Sequence, residues 1–143
     1  MSDHFFDTSA LGKHYLNELG KSAVDGLHAT SGSRHFISAP AKKVRVGHLT
    51  AVEFQTLTWR FRADVKDRRF AVVRLSASHF QTVERLVRRI GLDANLRTLD
   101  ALQLAVALGL NKTVRPVRFV CADKALCSIA TGEGLAVVNP EIP

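Results

Sequence analysis

The chain has 143 residues, 46% hydrophobic and 23% charged, which suits a single domain over 1–143 with a sizeable core and excludes dominant disorder. A formal net charge of +7 and a sequence pI near 10.0 point to polyanionic partners, nucleic acid first among them. The longest nearly apolar stretch, 101–110, contains Gln103 and is too short to span a bilayer, and Asp3 and Asp7 stand where a secretory leader would be basic, so a cytoplasmic protein with no membrane partner is expected.

In chain order, His4 to Asp7 reads as a short strand, and a helix that Ser9 can cap follows to about Leu19, with Gly20 as its stop. A second helical piece spans Ser22 to His28. Thr30 to Ser33 reads as a turn, and the residues from there to Pro40 fit no single element. Val44, Val46 and His48 alternate as a strand does, and Thr50 opens a helix whose buried side draws on Val52, Phe54, Leu57 and Phe61. Phe70 to Ser76 is extended. A helix capped by Ser76 or Ser78 then runs to Ile90 and ends at Gly91, with Phe80, Val83, Leu86, Val87 and Ile90 as its core stripe and its arginines outward. Thr98 to Leu110 is apolar almost all round, apart from Asp100 and Gln103, and predicts a helix buried on most sides. VRFVCA reads as a strand, Asp123 to Thr131 as a helix, and LAVVN as a last strand. This alternation predicts a three-layer α/β/α domain with a mainly parallel sheet, in which ligands bind beyond the carboxyl ends of the strands.

Three aspartates lie in segments that otherwise exclude charge: Asp7 in HFFDTSAL, Asp100 in LRTLDALQLAVAL and Asp123 in VRFVCAD. A carboxylate among apolar groups is hydrogen-bonded, paired with a cation or bound to metal. Asp7 and Asp123 fall at the carboxyl ends of strands, where one shared site is available to them. Each also has a purely structural reading, Asp7 and Asp123 as caps and Asp100 as an acid favoured by its helix dipole. Glu53 is a fourth candidate, although Thr50 and Glu53 also have the spacing of a capping box. Cys121 and Cys127 form neither a disulfide framework nor a zinc motif and are expected as reduced thiols. The six histidines lack acid-base or metal spacing and are expected to be structural or superficial. Basic clusters at Lys42, Lys43 and Arg45, at Arg60 and Arg62, at Lys66, Arg68 and Arg69, and at Arg85, Arg88 and Arg89 are candidates for holding a nucleic-acid backbone or are solvated faces.

Four blocks resemble the PIN domains, and within them the VapC-type toxins of toxin-antitoxin pairs. FFDTSALGKHYLNELG is similar to the first motif, HLTAVEF to the second with its acid at Glu53, LRTLDALQLAVAL to the third with Asp100, and FVCADKAL with GLAVVNP to the fourth with Asp123. The resemblance covers nearly the whole chain. It implies a PIN-like fold, a metal-dependent ribonuclease whose acids hold Mg²⁺ or Mn²⁺, a homodimer, a VapB-like antitoxin, and a structured RNA substrate such as tRNA. Cys121 departs from the family, which commonly has Thr or Ser two residues before the fourth acid, and no further acid follows Asp123 closely.

The chemistry of such a cluster is restrictive. Two carboxylates about 4 Å apart repel by ~4 kcal/mol at an effective dielectric of about 20, so the group takes up protons or a cation. Oxygen ligation selects hard ions. Asp7, Asp100 and Asp123 are therefore assigned as direct or water-mediated ligands, with Glu53 orienting water or serving a second ion. Metal-activated water attacking a phosphodiester leaves 5′-phosphate and 3′-hydroxyl ends. Ser9 either contacts the cluster or substrate or caps its helix, and Arg97 either holds the RNA backbone or pairs with a motif acid. The rival readings are a catalytically silent PIN-like module that binds nucleic acid, and a metal-dependent nuclease or phosphohydrolase acting on another substrate.

Overall fold

The computed structural model describes residues 3–17, 19–30, 32–38, 50–94, 96–113 and 116–142. The strand expected at Val44, Val46 and His48 and the cluster of Lys42, Lys43 and Arg45 lie outside these residues. The sheet is built on β1 (Asp3–Phe6), which lies between β2 (His35–Ser38) and β4 (Val117–Val120), with β3 (Ala71–Val73) and β5 (Ala136–Val138) at the edges. The order is β3-β2-β1-β4-β5 and every neighbouring pair is parallel. Parallel neighbours need long crossovers, and among the described residues six helices lie along them: α1 (Thr8–Tyr15), α2 (Lys21–His28), α3 (Ala51–Lys66), α4 (Ala77–Ala94), α5 (Thr98–Thr113) and α6 (Lys124–Gly132).

Alternation along the strands makes two cores. Phe5, Phe36, Val117 and Phe119 face one layer with Leu86 of α4, Leu104 of α5 and Leu126 of α6. Phe6, Ile37 and Val120 face the other, with Leu11 of α1, Val24 of α2 and Leu57 and Phe61 of α3. The result is the three-layer α/β/α arrangement that the strand and helix periods predict. The chain winds outward from β1 to β3, then returns to start β4 on the other side of β1. The strand order therefore reverses between β1 and β4, and their carboxyl ends flank the crevice that such a switch point creates.

Several expected details differ. The second strand is His35–Ser38, in the stretch that local pattern left unassigned. It is anchored by fully buried Asp3, which accepts from the backbone N–H of Arg34 at 3.0 Å and from its Nε and Nη2 at 3.1 and 2.9 Å. The first helix ends at Tyr15 rather than near Leu19. Gly20 starts α2 instead of stopping α1: its φ is +88°, and a Cβ there would meet the Pro140 carbonyl oxygen at 2.8 Å. On α3, Leu57 and Phe61 are buried, but Val52 and Phe54 are exposed. On α4 only Leu86 of the expected stripe is fully buried, while Phe80 and Val87 are exposed. α5 follows expectation, with Ala101 and 103–108 buried.

Four histidines from β1, β2, α1 and α2 line up where the two helices meet the sheet. The His4 and His35 rings stack at 5.5 Å across β1 and β2, His28 lies 4.8 Å from His35, and His14 lies 4.7 Å from His28. Phe6 and Phe70 pack beside them. His4 Nδ1, His28 Nε2 and His35 Nδ1 are buried without a hydrogen-bond partner, so a proton on any of these rings is poorly solvated. Burial is the main cause that lowers the pKa of all three, and it takes His35 to about 4. His28 is also disfavoured by neighbouring His14, and His35 by His28 and His4.

These depressed values set a pH dependence. The unfolded chain binds the protons first, so the stabilisation is complete above the ordinary histidine value of 6.5 and is lost as pH falls toward 4. Urea midpoints measured across this range should fall on acidification. Each histidine kept neutral reduces the folded-to-unfolded ratio by about tenfold per pH unit inside its window. Replacing His35 with Phe should flatten that acid limb; an unchanged slope would refute the assignment.

Candidate active site

Asp7 ends β1 and starts α1. Its backbone is extended, with φ −73° and ψ 171°, and its N–H donates to the Val120 carbonyl at 3.1 Å, tying the two strand ends together. Its side chain is the N-cap of α1: Oδ1 accepts from the Ala10 N–H at 2.9 Å and from Ser9 Oγ at 2.7 Å. Oδ2 accepts from the Cys121 thiol at 3.2 Å. Asp7, not Ser9, therefore caps the first helix. Ser9 Oγ instead bridges the strand ends, donating to Asp7 and accepting from the Ala122 N–H at 3.1 Å.

The fourth block meets the first at this point. Cys121 follows β4, its N–H bonded to the Val138 carbonyl of β5 at 3.0 Å, and its thiol occupies the position facing Asp7. Burial first, and the charge of Asp7 second, push that thiol well above its ordinary pKa, so it remains a neutral donor to the carboxylate. Cys127 donates from α6 to the Cys121 carbonyl at 3.1 Å. Both cysteines are free thiols, as expected. Asp123 is exposed at the start of α6, where its Oδ1 accepts from the Leu126 N–H at 3.0 Å.

α5 brings the third acid. Gln103, buried in the middle of an apolar helix, accepts the Thr8 N–H at 2.8 Å and donates to Thr8 Oγ1 at 2.6 Å. That reciprocal pair docks the first turns of α5 against the end of β1, with half-buried Asp100 in the first turn. The charge of Asp100 contributes to raising the pKa of Asp7. Arg97 is exposed at the same helix start, where its carbonyl accepts from the Ala101 N–H at 2.9 Å.

Glu53 stands apart. It is fully exposed and completes the capping box of α3, Oε2 accepting the Thr50 N–H at 2.8 Å while its own N–H donates to Thr50 Oγ1 at 3.2 Å. The Thr50 backbone N–H is the main cause that holds its pKa below the usual range. Asp7 lies within electrostatic reach of Asp100, and the thiol of Cys121 contacts both the Asp7 carboxylate and the Asp123 carbonyl, whereas the interactions of Glu53 are with its own helix start.

The sequence did not reveal Ser38. The register that pairs Phe5 with Phe36, carried two residues further, sets Ser38 beside Asp7, and the Ser38 hydroxyl is buried without a hydrogen-bond partner. Carboxylate and hydroxyl oxygens around Asp7 are the donors a hard divalent cation takes, and Mg²⁺ uses one or two carboxylates while keeping several waters. In donor chemistry alone, the oxygens of Asp7, Asp100, Asp123 and Ser38 suit such an ion. Among the described residues, no three His, Cys, Asp or Glu side chains stand close enough together to hold a metal ion. Family models and curated proteins return no match to this chain.

The electrostatics of Asp7 make a direct prediction. Burial is the main cause that raises its pKa to about 6, against hydrogen bonds from Ser9, Ala10 and Cys121 that lower it. The ionised carboxylate therefore destabilises the fold above about pH 6, and the penalty vanishes below the ordinary value of 3.8. In EDTA at pH 8, Asp7→Asn should stabilise the protein by up to roughly 3 kcal/mol, the equivalent of its shift. The gain should disappear on acidification to about pH 4. Thermal melts of both proteins at the two pH values check this.

Proposed function

We propose that the chain is a Mg²⁺-dependent endoribonuclease of the PIN type, the toxin of a VapBC-like toxin-antitoxin pair. One observation carries the reading: at the switch point between β1 and β4, Asp7 is 2% exposed, has three hydrogen-bond donors on its carboxylate, and lies within electrostatic reach of Asp100. The resemblance of the four sequence blocks supports the same reading, and the net charge of +7 supports a polyanionic substrate.

The chemistry that a bound Mg²⁺ or Mn²⁺ supplies is acidification of a water and neutralisation of charge on a phosphate. Asp7, restrained by Ser9, Ala10 and Cys121, offers a carboxylate whose position is set before any ligand arrives. Asp100 and Asp123 complete the oxygen donors from two helix starts. Asp123 is reachable from solvent by a cation, and exposed Arg97 meets the RNA backbone. Glu53 orients water or serves a second ion from the start of α3. The attacking group in this scheme is water and not the RNA 2′-hydroxyl, so products carry 5′-phosphate and 3′-hydroxyl ends.

The same reading makes the protein a homodimer held in check by a VapB-like antitoxin, acting on a structured RNA such as tRNA. Exposed Phe80 and Val87 on α4 and Leu99 on α5 support a protein-covered surface there. No helix among the described residues is long and apolar enough to cross a membrane. A catalytically silent nucleic-acid-binding module is the second reading, favoured by the engagement of Glu53 in its own capping box.

Cleavage of total RNA with and without Mg²⁺, with chemical mapping of the new ends, separates the two readings. Asp7→Asn, Asp100→Asn and Asp123→Asn should each lower Mg²⁺-dependent cleavage by about a hundredfold or more. Undiminished cleavage by Asp7→Asn would sink the metal mechanism. Because Gln also completes a capping box, Glu53→Gln should reduce cleavage while leaving the melting temperature near that of the parent. Cys121→Ser replaces a weak thiol donor with a stronger hydroxyl donor and holds Asp7 ionised at lower pH. Its cleavage profile should keep full amplitude, with the acid limb displaced to lower pH.

A further inference from the structure

The basic clusters separate by their partners. On α4, Arg85 and Arg89 pair with Glu133, and Arg88 with Glu84. Arg69 pairs with Asp64, and Arg60 lies over the Tyr15 ring. Arg62 and Lys66 form no ion pair with a described residue. They share the outward face of α3 with Trp59, which is 71% exposed, and the spacing Trp59, Arg62, Lys66 keeps all three on one side of the helix. Leu57 and Phe61 occupy the opposite, buried side. On the outward face a concavity of about 330 Å³ opens, lined by Trp59, Arg62, Ala63, Lys66 and Asp67. Small Ala63 leaves room beside the indole, and two cations face one acid.

We propose that Trp59, Arg62 and Lys66 form a stacking platform for single-stranded nucleic acid. An exposed indole offers a flat π face that any base can cover, and flanking cations hold the phosphates on either side of the stacked nucleotide. Charge decides the occupant. A second copy of this chain, itself at +7, would bring further cations to Arg62 and Lys66, whereas a polyanion neutralises them. The platform is separate from the acid crevice and engages unpaired nucleotides of a bound RNA outside the point of cleavage. The proposal rests on the nucleic-acid reading and is independent of the cleavage chemistry.

Trp59 is the chain's single tryptophan, so its fluorescence reports this site alone. Titration of the full chain with a short unstructured RNA oligonucleotide in EDTA should quench that emission saturably. In the same buffer, binding of a labelled copy of the oligonucleotide is followed by anisotropy. Trp59→Ala should weaken binding about five- to hundredfold, Trp59→Phe should retain most of it, and Arg62→Gln or Lys66→Gln should each reduce the salt slope by about 0.7. Absent quenching at RNA concentrations where anisotropy is saturated would overturn the platform. So would no detectable binding, or emission that shifts with protein concentration in the absence of RNA, which is the signature of a second copy covering Trp59. Mg²⁺-dependent cleavage, measured separately, distinguishes the failures: cleavage without quenching removes only the platform, and quenching without cleavage removes only the nuclease.

Discussion

The constraint on which this architecture turns is the buried carboxylate of Asp7. Its backbone N–H joins β1 to β4, and its side chain starts α1 and accepts from Ser9 and Cys121. A neutral residue of similar shape would satisfy much of this geometry, and burial disfavours the charged form. The contrast with Asp3 is instructive. Asp3 is as deeply buried but receives the forked guanidinium of Arg34 and acts as a clamp between β1 and β2. Asp7 receives hydrogen bonds and the repulsion of Asp100. A charge held in place at a loss of stability is a common mark of a site shaped for a ligand.

Around that carboxylate, the surrounding contacts serve mainly to limit motion. Gln103 fixes α5 through both ends of its amide, and Ser9 spans from Asp7 to Ala122. Further along α1, buried Lys13 pairs with Glu141 at 2.6 Å and holds the segment after β5 against that helix. Asp7, Asp100 and Asp123 thus sit at strand ends and helix starts, the kind of scaffold that keeps ligand groups in place. Acidity affects this scaffold in two directions: the histidine stack loses stability as pH falls, while Asp7 regains it, so the two partly cancel between about pH 4 and 6.

Much of this was legible in the residue order. Short apolar runs in HFF and VRFV mark buried parallel strands, and the nearly uniform apolar run after Thr98 marks a helix enclosed by the core. Asp123 before KALCSIA reads as a cap, and Thr50 with Glu53 reads as a capping box; both are present. Less legible was HFIS, whose strand depends on Asp3 and Arg34, 31 residues apart. The stripe on α4 was read too generously, since helical spacing defines a face but not how much of it another layer covers. Phe80 and Val87 share the stripe of Leu86 and remain exposed.

The sequence by itself determined the order of most strands and helices, their caps and the surplus of positive charge, because these depend on neighbours within a few residues or on composition. Only the tertiary structure decided that Asp7 and Asp100 interact, that Cys121 donates to Asp7 and that Ser38 lies beside it without a partner. It also left Trp59 in solvent with two cations unpaired among the described residues. Those facts arise where strand register brings distant segments together, and burial and charge at such junctions are properties of the junction and not of either segment alone.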